Sequence, residues 1–258
     1  MNDPQPNKNL GQHWLHDAAT LHHICDAADI TPNDTVLEIG PGLGTLTQVL
    51  VGRAKKVIAV EFDPDLAKQL PKRVTAKNLE VVQSDILKFN LSGLPPGYKV
   101  VANVPYYITS KIVQLLLTAQ NRPSRTVLLV QKEVAERLAA GPGDMSILAV
   151  SAQLFAEAKL GNVVPAKLFT PPPKVDSQVV ILKTRTQELF TDIDEKLFFK
   201  VVKAGFSAKR KKLRSSLAGG LGVSKDEAET LLNRAEVNPD DRAEALSLED
   251  WTALARSL

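Results

Sequence analysis

Residues 35–44 read Thr35-Val36-Leu37-Glu38-Ile39-Gly40-Pro41-Gly42-Leu43-Gly44, an aliphatic run that ends in a glycine-spaced turn. β-Branched and aliphatic side chains suit a pleated, buried strand, and the glycines permit a tight turn that lets a ligand approach the backbone. The spacing is Gly-x-Gly-x-Gly rather than the Gly-x-Gly-x-x-Gly of dinucleotide folds. A plain strand-to-helix turn would read the same, so the loop takes its meaning from its surroundings. Outward from it, residues 56–61, 79–83, 98–103 and 126–130 are further apolar runs, separated by helix-length segments such as 43–51, 64–74 and 110–119. Near-continuous apolar strands alternating with helices predict an α/β fold with a parallel sheet covered on both faces.

Later the pattern changes. Residues 156–164 and 175–183 read as longer strands flanking the turn Phe169-Thr170-Pro171-Pro172-Pro173, and beyond residue 183 nothing reads as a strand. Residues 194–258 read as helices broken at Gly219-Gly220 and at Pro239. The expected division is therefore a catalytic domain over 1–185 and a small all-α domain over 186–258, joined near residues 184–189. From Lys196 to Arg214 the chain carries eight Lys or Arg and no acid, although its net charge is only +3. Such a run is either a solvated helix face or a grip for a polyanion, of which phosphate backbone is the commonest.

With 258 residues, 44% hydrophobic, 24% charged, 14 Gly and 16 Pro, the composition excludes a disordered, collagenous or repeat-built chain. The single cysteine, Cys25, excludes an internal disulfide and a multi-thiolate zinc site, and fits a reducing, cytoplasmic location. Residues 1–10 are polar, unlike a signal peptide, and no apolar run approaches the roughly 20 residues of a membrane span. His13, His16, His22, His23 and Cys25 invite a metal site, but His22 and His23 are adjacent and would face different sides of a helix. No metal is expected. Glu133 and Glu136 read as helix-face charges paired with Lys132 and Arg137.

Glu61 ends the second long run, 21 residues after Gly40 (61 − 40), where a carboxylate can accept both hydroxyls of a ribose. Asp85 follows the third run; it can accept from an adenine amino group while Ile86 packs on the ring, or it can cap the next helix. Gly40, Gly42, Glu61 and Asp85 at successive strand ends would line one crevice beyond the carboxyl edge of the sheet. Together they favour S-adenosylmethionine over a nicotinamide cofactor.

Asn103-Val104-Pro105-Tyr106 stands at the end of the fourth run. An adenine amino nitrogen is a poor nucleophile because its lone pair is delocalised into the ring. Two acceptors on its N–H groups, the Asn103 side-chain oxygen and the Val104 carbonyl, would draw it toward tetrahedral geometry and free that lone pair. Pro105 fixes the turn, and Tyr106 offers a flat face for a base turned out of its stack. Phe169 reads equally as the opposite wall of the base pocket or as core. Lys174 would either meet a phosphate or be solvated.

These residues resemble the small-subunit (16S) ribosomal RNA adenine N6,N6-dimethyltransferase family. The likeness runs through Asn9-Leu10-Gly11-Gln12 with Leu15, residues 37–44, Glu61, Asp85, residues 103–106, residues 131–138, Phe169-Thr170-Pro171-Pro172-Pro173-Lys174-Val175-Asp176-Ser177, and residues 206–214. It implies a class I S-adenosylmethionine-dependent methyltransferase: a Rossmann-like, mostly parallel seven-stranded sheet with a small helical domain. It further implies dimethylation of two adjacent adenines in a hairpin near the 3′ end of 16S rRNA, within a partly assembled small subunit whose late biogenesis the enzyme assists as a monomer. Carried over, His13, Leu15, Gly40, Gly42, Glu61, Asp85, Ile86 and Asn103 contact the cofactor. Asn103, Tyr106 and Phe169 hold the base, and Lys174, Lys209, Arg210, Lys211, Lys212 and Arg214 meet the RNA. The family has Gln-Asn-Phe-Leu where this chain has Gln12-His13-Trp14-Leu15; His13 is bulkier but still able to donate to a carboxylate. The alternatives are a 23S rRNA methylase of the antibiotic-resistance type, a DNA adenine methylase, or an assembly factor without catalysis.

Overall fold

The computed structural model describes residues 4, 6 and 10–258 of the chain; Asn9 of the resemblance lies outside them. The chain forms two compact units. One comprises residues 1–136 and 156–185, the other residues 137–155 and 186–258. The second unit therefore includes an internal stretch, 137–155, that linear reading assigns to the first.

The first unit contains β1 (Trp14–Leu15), α1 (Ala18–Ala27), β2 (Thr35–Ile39), α2 (Thr45–Val51), β3 (Lys56–Glu61), α3 (Pro64–Arg73), β4 (Leu79–Gln83), β5 (Lys99–Asn103), α4 (Thr109–Thr118) and β6 (Arg125–Gln131). It closes with β7 (Ala156–Val164), β8 (Phe169–Thr170) and β9 (Ser177–Thr184), and the helix α5 (Lys132–Leu138) leads out of it into the second unit. Seven strands form one sheet in the order β4-β3-β2-β5-β6-β9-β7. The pairs β2–β3, β2–β5, β3–β4 and β5–β6 are parallel, while β9 runs antiparallel to both β6 and β7. Strand order reverses at β2, which has β3 on one side and β5 on the other, so the crevice at its carboxyl end is the topological switch point.

The aliphatic runs become strands because helices cover them: Val36, Leu37, Val57, Val100, Val101, Val127, Leu128 and Leu129 are all inaccessible to solvent. The helices start where a short polar side chain takes up orphan N–H groups. Asp17 accepts from Thr20 N at α1, and Asp63 accepts from Asp65 N at α3, with Pro64 at the first helical position.

The second unit holds α6 (Ile147–Phe155), α7 (Glu195–Gly205), α8 (Leu213–Leu221), α9 (Lys225–Arg234) and α10 (Leu248–Arg256) around a core that includes Ala149, Val150, Phe198, Leu217, Leu232 and Trp251. The break expected at Gly219-Gly220 does not occur. Both glycines lie inside α8, which ends at Gly222 in the left-handed conformation, φ 72°. Gly220 serves packing instead: a Cβ there would sit 2.4 Å from Ala204 Cα of α7, so the two backbones touch where a side chain would hold them apart.

Candidate active site

At the switch point a cavity of about 260 Å³ opens. Its wall combines the glycine loop with residues at the carboxyl ends of three parallel strands: Glu61 and Phe62 at β3, Ser84 to Leu87 after β4, and Asn103 to Ile108 at β5. Residues 10–15 complete it. The structure thus brings together His13, Leu15, Gly40, Gly42, Glu61, Asp85, Ile86, Asn103 and Tyr106 from the sequence reading.

The loop is built by backbone conformation. Gly40, Gly42 and Gly44 have φ of 66°, 57° and 86°, a region that costs a side chain strain. Gly44 also has no room, because a Cβ would lie 2.7 Å from Leu70 Cδ1 and 2.8 Å from Val74 Cγ2 of the α3 segment. The Gly42 N–H donates to Glu61 Oε2 at 3.0 Å, and the Asp63 N–H donates to Glu61 Oε1 at 2.9 Å. Each carboxylate oxygen is thereby fixed in place with lone-pair capacity to spare, as a pair of ribose hydroxyls requires. Glu61 is 6% exposed, and burial raises its carboxyl above the ordinary range. Asp85 Oδ1 accepts from the Leu87 N–H at 2.9 Å, so the capping alternative is realised, yet the residue also lines the cavity. Ile86, 5% exposed, supplies an apolar surface beside it. Acceptors at one end and a hydrophobic wall beside them fit a nucleoside.

Glu38 sits beneath the loop, 1% exposed, with the Thr47 hydroxyl acting on its carboxyl against the effect of burial. Burial pushes its carboxyl up to about 8, and the nearby Glu61 charge adds to that. The folded protein therefore holds a proton at Glu38 that the unfolded chain releases near the ordinary carboxyl value of 4.5, so this group's contribution to stability falls as pH rises between roughly 4.5 and 8. Glu38→Gln is expected to flatten that decline, with a higher melting temperature than the parent at pH 8 and little difference at pH 5; parallel melting curves would contradict it.

At the other end of the cavity, Asn103 Nδ2 lies 3.1 Å from the His13 carbonyl oxygen. A carbonyl only accepts, so this contact fixes the amide orientation and leaves Asn103 Oδ1, beside Val104, as an acceptor with no side-chain or backbone partner among the described residues. His13 Nδ1 lies 2.7 Å from the Pro171 carbonyl oxygen and must carry the proton of that bond. That nitrogen is thus committed to the Pro-rich loop, and the donor to a cofactor carboxylate expected of His13 would have to be its other nitrogen. The His13 ring also stacks on Tyr106, with centroids 5.9 Å apart and planes 19° from parallel. Tyr106 is anchored through its hydroxyl, 2.6 Å from Ser177 Oγ, and burial raises its phenol above the ordinary range.

Phe169 is not part of the cavity wall. It is 3% exposed, pairs across the β1–β8 bridge with Leu15, and packs in the core with Leu21, Ile24 and Val179, because strand pairing draws it behind Leu15. Lys174 is exposed, as are Lys209, Arg210, Lys211 and Lys212 in the second unit. Two of the expected RNA contacts already have internal partners: Asp240 lies 3.1 Å from both Lys212 Nζ and Arg214, and Glu229 lies 3.7 Å from Arg214. Trp14, Phe62 and Tyr107 line the cavity without having been singled out. The signal that could have flagged them is adjacency: Trp14 lies between His13 and Leu15, Phe62 follows Glu61, and Tyr107 follows Tyr106. Among the described residues no group of three or more His, Cys, Asp or Glu could hold a metal ion, and no helix is long and apolar enough to cross a membrane.

A parallel sheet of this order, with a glycine loop after its reversal strand and a carboxylate at the end of the next, defines the class I S-adenosylmethionine-dependent methyltransferase fold. Residues 4–258 match the family model described as ribosomal RNA adenine dimethylase, and the chain belongs to that family. It is 45% identical over 251 residues to ribosomal RNA small subunit methyltransferase A of Dehalococcoides mccartyi, covering 96% of this chain and 86% of that protein. It is 40% identical to the protein of the same name from Moorella thermoacetica, covering 98% and 92%. Among solved structures, a dimethyladenosine transferase from Plasmodium falciparum superposes with a TM-score of 0.81 at 29% identity, covering 94% of this chain and 96% of that one. The 23S rRNA methyltransferase ErmE gives 0.78 at 30%, covering 95% and 99%.

Proposed function

We propose that this enzyme transfers methyl groups from S-adenosylmethionine to N6 of two adjacent adenines near the 3′ end of 16S rRNA, dimethylating each, with the small ribosomal subunit as its substrate. It works in the cytoplasm as a monomer and assists late assembly of that subunit. The observation that carries this reading is the Asn103 amide, whose Nδ2 donates to the His13 carbonyl and so leaves Oδ1 as an acceptor beside Val104, in a cavity that both residues line.

When bound, the cofactor supplies a methyl group on a positively charged sulfur. Glu61 accepts the ribose hydroxyls and Asp85 the adenine amine, which sets the position of that methyl relative to Asn103. Asn103 Oδ1 and the Val104 carbonyl accept the two N–H bonds of the target amine and pull its lone pair out of the ring. With the donor bound, that lone pair would take the methyl group as its bond to sulfur breaks, leaving a neutral thioether, and the methylated nitrogen would lose a proton to water. No strong base is required; catalysis lies in placement and in dipoles already aimed at the amine. Tyr106, held by Ser177, presents its ring to the base.

Labelled methyl transfer to small subunits lacking these modifications, with naked 16S rRNA and large subunits as controls, tests the reading. Incorporation at two adjacent adenines of the small subunit supports it. Incorporation into large subunits instead favours the 23S reading, which the likeness to ErmE raises. Binding of subunits without any cofactor binding favours a silent assembly factor. Within this function Lys209, Arg210 and Lys211 are adjacent exposed cations of the basic run that, like Lys196, Lys200 and Lys203 earlier in it, have no acidic partner among the described residues. Replacing these three with Ala is expected to weaken subunit binding and to lower the salt slope of log affinity by about two to three. An unaltered slope would place the RNA contact elsewhere.

A further inference from the structure

Trp14 is 7% exposed, yet its Nε1 is buried with no hydrogen-bonding partner among the described residues. An indole N–H is a donor only, and a buried one ordinarily finds an acceptor. The residue lines the same cavity as Gly42, Glu61 and Asn103. Its ring packs with Leu43 and Leu66, and Nε1 lies 3.6 Å from where a Gly42 Cβ would be, so the indole lies against the glycine loop itself. Pairing of Trp14 with Thr170 fixes the backbone beneath it. Glu61 of the same cavity accepts from the Gly42 N–H and the Asp63 N–H and, among the described residues, makes no hydrogen bond to the indole. The only other tryptophan, Trp251, also has an orphan Nε1, but it is wholly enclosed in the apolar core of the second unit, where no ligand would reach it.

We infer that Trp14 is a binding residue for the methyl donor, its Nε1–H donating a hydrogen bond to an oxygen of the bound cofactor, either on the ribose or on the amino-acid carboxylate. The inference rests on the cofactor proposed above. It is particular to this chain, because the family pattern that the sequence resembles carries Phe here, which has no donor to offer. The closeness of the loop is seen at Gly42, where even a Cβ would be in van der Waals contact with the indole.

The first test reads the native protein. Of its two indole N–H resonances in a ¹H–¹⁵N spectrum, the one lost in Trp14→Phe is expected to move downfield on addition of S-adenosylmethionine, while that of Trp251 stays. The second test is calorimetry. Trp14→Phe is expected to bind S-adenosylmethionine roughly tenfold more weakly, with the melting temperature of the free protein unchanged, since the lost donor had no partner in the protein. 5′-Methylthioadenosine, which keeps the ribose and lacks the amino acid, assigns the acceptor: an equal loss places it on the ribose, and a loss confined to the full cofactor places it on the carboxylate. Unchanged affinity for both ligands, or a stationary Trp14 resonance, overturns the inference; so does a large drop in melting temperature without ligand, which would make Trp14 a packing residue. If the unaltered protein itself binds no S-adenosylmethionine, the cofactor reading fails first, a result distinct from all of these.

Discussion

Replacing Asn103 with alanine is expected to reduce methyl transfer by roughly 10²–10³-fold, the usual cost of deleting one preorganised polar contact to a reacting centre. Cofactor affinity should change only a few-fold. The division of labour follows from geometry. Glu61, Asp85 and the glycine loop, which hold the donor, hang from β2, β3 and β4, whereas Asn103 ends β5 and spends its Nδ2 on the His13 carbonyl. Removing the amide deletes Oδ1 and leaves Val104 as the lone acceptor for the target amine. Single-turnover methylation alongside calorimetry separates the two effects, and unchanged turnover would remove Asn103 from the chemistry.

The largest effect on stability is expected at Gly220. On helix propensity alone, alanine inside α8 would gain about 1 kcal/mol over glycine. The α7–α8 crossing reverses the sign. The added Cβ would lie 2.4 Å from Ala204 Cα and 2.8 Å from Ala204 O, atoms of backbone that no rotamer change can move. The two helices must part, and the cost is about 3 kcal/mol or more. Urea unfolding followed by circular dichroism should show the midpoint of the second unit falling well below that of the parent. A more stable Gly220→Ala protein would mean that the helices do not approach so closely. Gly205 is a related case, for a Cβ there would lie 2.3 Å from the Trp251 ring, but a side chain has some freedom to yield.

Local pattern carried much of the fold. Residues 35–39, 56–61 and 79–83 read as strands and are β2, β3 and β4 to the residue, because runs of aliphatic side chains bounded by polar or glycine residues have one buried arrangement open to them. The carboxyl-edge crevice was legible for the same reason, since strand ends in a parallel sheet converge there. What was hidden depends on partners far away in sequence. Gly219-Gly220 looks like a helix break until Ala204 is known to lie against it. Phe169 is equally wall or core until the β1–β8 bridge draws it behind Leu15. The orphan nitrogen of Trp14 cannot be inferred from its neighbours in the chain, and the ion pairs of Asp240 with Lys212 and Arg214 require two helical segments to be folded together.

The route of the polypeptide between the two units has a practical outcome. It leaves the first at residue 136, contributes 137–155 to the second, returns for β7 to β9, and departs again after 185. No single cut separates the halves. A fragment stopped at 185 would keep α6 while losing the helices that shelter Ala149 and Val150, and greasy side chains stripped of cover invite clumping. An excised tail from 186 onward would lack α6 and the apolar surface that it brings to the helical core. Circular relinking or grafting of either half therefore calls for two junctions, at 136/137 and 155/156, in addition to the one at 185/186. During synthesis α6 emerges before β7 and β9, so the helical core stays incomplete until the ribosome has delivered the tail.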